Sequence, residues 1–192
     1  MIEAARNALE TLMEGNRRFV AAKSEHRQYQ DHHRVRMTED VKPFAAVVSC
    51  VDSRVVPEVL FDQPLGSLFV CRVPANVASE SALWMIDIAV GEFNVPLVVV
   101  LGHTGCVAVK QILDGKSGPG GLLRFKVQTA ASQARLKNPT DLYRATVTAN
   151  AKHTIEELKQ DSYHLRDAIR AEKCSAVAGV YDMATGVVDV FE

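Results

Sequence analysis

A chain of 192 residues, 47% apolar and 23% charged, has the size and balance of one globular domain with a full core. Its 22 Lys and Arg against 23 Asp and Glu leave a net charge of −1, which excludes a global pull toward nucleic acid or anionic lipid. Apolar runs such as VPLVVVLG fall far short of a membrane span, and the opening MIEAARNALE carries acids and no apolar leader core, so no membrane partner, no secretion signal and a cytoplasmic setting are expected. In a reducing compartment Cys50, Cys71, Cys106 and Cys174 read as free thiols or metal ligands rather than as a disulfide framework.

Residues 1–40 form an N-terminal helix and arm. Ala5, Leu9, Leu12, Asn16 and Phe19, extended by Val20, recur at helical spacing and predict one buried helix face. The following KSEHRQYQDHHRVRMTED is polar and aperiodic. Its basic cluster of His26, Arg27, His32, His33, Arg34 and Arg36 suits a solvated face, or an arm laid over a neighbouring subunit, better than a ligand patch. Residues 41–192 form the α/β core. FAAVVSC, SLFVCRV and LVVVLGH lack in/out alternation, so they predict strands with helices on both faces.

Between the second and third strands, Leu83, Ile86, Val90 and Phe93 mark a helix face, which implies a right-handed parallel crossover. A helix over TGCVAVKQILDG ends at Gly115, and LLRFKVQTAASQARLKN is a further helix ending before Pro139. The intervening DGKSGPGG resembles a phosphate loop only superficially. Lys110 occupies the position of the required first glycine, and the segment follows a helix rather than a strand. Residues 140–173 are helix-rich with a break near 161–162, where Ser162 caps a second helix. The chain closes on two strand-like runs around DMATG, a hairpin with Gly186 at the turn. The whole predicts a single α/β domain with a mostly parallel sheet.

The first strand ends in CVDSR and the third in HTGC, so Cys50, His103 and Cys106 all fall at carboxyl ends of strands. Ligand sites in open α/β sheets gather at that edge. Two thiols and an imidazole match Zn²⁺, and three protein donors with one position left over describe a catalytic rather than a structural centre. The bland alternative is two core thiols and a satisfied core histidine. Cys71 and Cys174 fall within strand-like runs and are read as small buried hydrophobes. Asp52 is close enough in sequence to act as a fourth metal ligand in a closed state. Arg54, on the same side of an extended segment, pairs with that carboxylate when a water takes its place. A zinc-bound hydroxide attacking a small linear substrate, aimed by an Asp52–Arg54 dyad, is the expected chemistry, with His32 or His33 as candidate proton shuttles. A non-catalytic zinc-stabilised scaffold and a thiol redox sensor are the competing classes.

These motifs resemble those of the β-class carbonic anhydrases. CVDSR and HTGC stand where that family has Cys-x-Asp-x-Arg and His-x-x-Cys, and RVVPEVLFDQPLGSLFVCR, NVPLVVVLGH and GVYDMATGVV are similar to family sequence. The resemblance implies reversible hydration of carbon dioxide to bicarbonate and a sheet of about five strands, mostly parallel with an antiparallel edge. It also implies a homodimer or homotetramer with the site at the dimer interface. It places Cys50, His103 and Cys106 as zinc ligands and Asp52 and Arg54 as the catalytic dyad.

The chain departs from the family pattern at three places. Val107 follows the second cysteine where Gly is common, Val41 stands where a substrate-orienting Gln precedes Pro43, and RVPAN replaces Arg-Asn-Ala-Gly-Asn at residues 72–76. These changes make the expected pocket more apolar. Hydrolysis of carbonyl sulfide or carbon disulfide by the same zinc chemistry, known in relatives that resemble this family, is therefore the alternative activity.

Overall fold

The protein is described by a computed structural model covering residues 1–25, 41–116 and 121–191. The chain runs α1 (Glu3–Val20), β1 (Ala45–Cys50), α2 (Pro57–Leu60), β2 (Leu68–Val73), a 3₁₀ turn (Pro74–Asn76), α3 (Glu80–Gly91) and β3 (Leu97–His103). It continues through α4 (Val107–Leu113), α5 (Leu122–Arg135), α6 (Leu142–Asp161) and α7 (Tyr163–Arg170) to β4 (Ser175–Tyr181) and β5 (Val188–Phe191). The strands form one sheet in the order β2-β1-β3-β4-β5. All pairings are parallel except β4 with β5, the antiparallel edge formed by the terminal hairpin. Gly186 adopts a positive φ of 80° in that turn, and its N–H donates to Asp182 O at 2.8 Å.

β1 and β3 are buried along their whole length because each carries apolar residues on both sides. Ala46, Val48, Val98 and Val100 pack under α3, α6 and α7. Ala45, Val47, Leu97, Val99 and Leu101 face α1 and the α2 region on the opposite side. This is the two-sided burial that the unbroken apolar runs required.

Two helix stripes differ from expectation. On α3 the buried residues are Ala82, Ile86, Ala89 and Val90, whereas Leu83 is half-buried and Phe93 lies beyond the helix end, 43% exposed. Small alanines face the sheet because they let the helix axis approach closely, and the larger side chains are displaced to its flank. On α1 the buried set is Ala5, Ala8, Leu12, Gly15 and Asn16, with Val20 left 44% exposed. Asn16 is buried as a polar anchor. Its Nδ2 donates to Leu60 O (3.1 Å) and Gly186 O (3.0 Å), and its Oδ1 accepts from Val188 N (3.0 Å).

The break after α6 falls where expected. Ser162 Oγ accepts from Leu165 N at 3.0 Å to cap α7. Cys174 lies one residue before β4 rather than within it, and is buried in the core. The arm cluster, with His26, Arg27, His32, His33, Arg34 and Arg36, lies outside the described residues.

Gly15 makes the contact between α1 and the segment after α2 possible. A Cβ there would stand 1.7 Å from Phe61 O, a backbone atom that cannot swing aside. Helix propensity alone would make Gly15→Ala stabilising by about 1 kcal/mol. The clash outweighs that gain, and overpacking should lower stability by about 3 kcal/mol. A urea titration of the variant checks the sign.

Candidate metal centre

β1 and β3 are neighbours, with Ser49 paired to Leu101, so the residues leaving their carboxyl ends emerge side by side. The chain steps from β1 outward to β2 and then back across to β3, which makes this gap the switch point of the sheet. Cys50 is the last residue of β1 and His103 the last of β3. The turn Thr104–Gly105 then brings Cys106 back toward them as the residue preceding α4. Gly105 makes the turn at φ +71°, with Met183 Sδ 3.2 Å from where a Cβ would stand.

Thr104 fixes the turn from the other side. Its N–H donates to Tyr181 O at 2.9 Å, and its hydroxyl accepts from Met183 N at 2.9 Å. Tyr143 on α6 donates its hydroxyl to Cys106 O at 3.1 Å. No spacing in the sequence announces Tyr143 or Met183 as supports, because each reaches the site through tertiary packing.

The three expected donors converge. One ligand atom from each of Cys50, His103 and Cys106 lies within 4.8 Å of the others, and all three residues are buried. The two sulfurs are 4.0 Å apart. His103, with no exposed surface, donates from Nδ1 to Thr104 O at 2.8 Å, leaving Nε2 as the nitrogen with a free lone pair. That Nε2 is buried and has no hydrogen-bond partner among the described residues. A buried, unpartnered imidazole nitrogen beside two sulfurs is costly unless a cation occupies the space between them, so these residues fit a metal ion.

Charge at the sulfurs agrees. The hydrogen bond from Cys106 holds the Cys50 thiol well below the usual thiol range. The Cys50 sulfur and burial together push Cys106 up. The pair thus releases one proton readily and resists releasing the second without a cation. By contrast, burial alone raises Cys174 to about 12 and also raises Cys71, and neither residue belongs to the cluster.

Asp52 and Arg54 are paired as expected. Arg54 Nε and Nη2 donate to the two carboxylate oxygens at 2.9 and 2.7 Å, and the Arg54 backbone N–H adds a third bond at 3.0 Å. Arg54 Nη2 also donates to Gly105 O at 3.3 Å, linking the first motif to the second. The Arg54 guanidinium beside Asp52 holds its carboxyl well below the usual carboxylate range. A depressed folded-state value means that the pair contributes its stability fully above the ordinary Asp value near 3.8. That contribution is lost only as pH falls through the lower folded value.

The family profile described as carbonic anhydrase matches residues 45–188. Carbonic anhydrase 2 of Mycobacterium tuberculosis is 37% identical over 175 residues, covering 89% of this chain and 79% of that protein. The carbonic anhydrase of Mycolicibacterium smegmatis is 34% identical over 188 residues, covering 95% and 91%. Among solved structures, a tetrameric β-carbonic anhydrase of Sordaria macrospora superposes with a TM-score of 0.74 at 21% identity, covering 96% of this chain and 97% of that one. The Coccomyxa β-carbonic anhydrase in complex with acetazolamide gives 0.73 at 24% identity, covering 94% and 85%. The fold is that of the β-carbonic anhydrases, and the chain belongs to the carbonic anhydrase family.

Removing the imidazole should empty the centre while leaving the sheet intact. His103→Ala is expected to purify folded with less than about a tenth of the wild-type metal content by elemental analysis, since two sulfurs alone are an incomplete donor set.

Proposed function

We propose that this chain is a zinc-dependent carbonic anhydrase that interconverts carbon dioxide and bicarbonate. In this reading Cys50, His103 and Cys106 are the ligands, and Asp52 and Arg54 the working pair. The observation that carries it is the unpartnered, buried Nε2 of His103 facing two sulfurs. Zinc, which takes Cys and His donors in tetrahedral geometry, supplies at such a site the Lewis acidity that makes water a nucleophile near neutral pH.

The chain's own residues do the rest. Asp52 stays ionised because Arg54 grips both of its oxygens, so it accepts a hydrogen from a neighbouring water and fixes where that water's lone pair points. That grip supports the reading in which Asp52 is turned toward Arg54 over the closed state in which it serves as fourth ligand. Arg54 in turn is steadied by Gly105 O, one residue from Cys106, so the pair moves with the ligand set.

The Sordaria macrospora relative is described as tetrameric. We extend a homodimer or homotetramer to this chain, with the site at a dimer interface. The half-exposed edge strand β2 supports a partner along that side. Val41, 38% exposed, and Val107, 56% exposed, leave apolar surface at two altered family positions, and carbonyl sulfide is therefore the comparison substrate. The described residues contain no helix long and apolar enough to cross a membrane. Their four unpaired cysteines suit the cytoplasm.

Stopped-flow carbon dioxide hydration with zinc-replete protein tests the activity directly. Asp52→Asn should retain zinc while kcat falls about 100-fold or more, the usual contribution of a positioned acid–base group. Full activity in that variant would remove Asp52 from the chemistry, and bound metal with no turnover in the wild type would leave only a scaffold.

A further inference from the structure

Arg72 sits near the end of β2, opposite Ser49 in the parallel register. Its side chain crosses to the segment leaving β1 and donates to three successive carbonyls. Nε reaches Cys50 O at 3.2 Å, and Nη2 reaches Val51 O at 3.1 Å and also Asp52 O. Successive carbonyls of a strand point to opposite neighbours, so three in a row cannot meet one cation unless the chain curls around it. Their lone pairs repel one another when brought together, and a positive guanidinium removes that penalty. The curl begins at Cys50, where β1 ends, and carries Asp52 round to Arg54.

We propose that Arg72 is a positioning residue of the metal centre, setting the backbone that fixes both the Cys50 sulfur and the Asp52 carboxylate. This inference rests on the functional reading above and assigns that site a further member. Two arginines divide the labour. Arg54 holds the carboxylate of Asp52, and Arg72 holds its backbone together with that of a donor residue.

The base of the clasp is itself fixed. Val51 N–H donates to Val73 O at 3.2 Å, beside Arg72. β2 then enters the 3₁₀ turn, where Asn150 Nδ2 of α6 donates to Ala75 O at 2.7 Å. A guanidinium presents several donors in a fixed plane and serves three acceptors at once. A lysine ammonium on a flexible stem cannot hold the same three in register.

The test compares wild type, Arg72→Ala and Arg72→Lys. It uses thermal midpoint, zinc affinity by competition with a chromogenic chelator, and kcat and KM for carbon dioxide. Arg72→Ala should weaken zinc binding about tenfold or more, as loss of an outer partner of a metal ligand does, and should lower kcat more than it raises KM. Arg72→Lys should recover only part of either loss. Ethylguanidinium added to Arg72→Ala should restore part of both, and ethylammonium should not.

The proposal is overturned if Arg72→Ala binds zinc within about twofold of wild type at unchanged kcat, or if the two additives act alike. Should Arg72→Ala fail to fold, Arg72→Lys decides: wild-type affinity and kcat in that variant overturn the clasp. If the wild type hydrates no carbon dioxide, the functional reading fails, and the zinc-affinity comparison still judges Arg72.

Discussion

Two sulfurs and an imidazole nitrogen are buried together where none of them can fully satisfy the others. Nδ1 of His103 is already committed to Thr104 O, so Nε2 has only the cysteines and whatever lies between them. In a protein interior a polar atom left in this way costs stability unless a water or an ion meets it. The sheet edge, the turn at Gly105 and the start of α4 are all arranged around that one requirement.

The supports come from every side of the site. β4 reaches it through Tyr181 O, the terminal hairpin through Met183 N, and α6 through the Tyr143 hydroxyl. Arg54 ties the first motif to the second, and Arg72 ties the first motif to the edge strand. A donor set held from several elements loses little freedom when a cation arrives, which favours binding over collapse of the site. The scaffold is rigid where the three donors sit because β1 and β3 are buried on both faces and paired to each other.

Much of this was legible before folding. Apolar runs without alternation announced a sheet covered on both sides, and Ser162 and Gly186 marked a cap and a turn that the structure contains. The convergence of Cys50, His103 and Cys106 and the pairing of Asp52 with Arg54 were legible because Cys-x-Asp-x-Arg and His-x-x-Cys each lie within one short segment. The helix stripes were less so. Hydropathy favoured Leu83 and Phe93 on α3, but the face against the sheet belongs to Ala82 and Ala89, since close approach rewards small side chains. Asn16 joined an apolar stripe by spacing, and only the backbone groups of Leu60, Gly186 and Val188 explain why an amide is buried there.

The chain's local chemistry by itself determined which residue types stand at the ends of two strands, because side-chain identity and a spacing of a few residues are properties of short segments. Which nitrogen of His103 is left free, and which arginine holds the carboxylate and which the carbonyls, was decided only by tertiary structure. Those outcomes depend on the approach of groups from β2, α6 and the terminal hairpin, distant in sequence, whose distances no local pattern encodes.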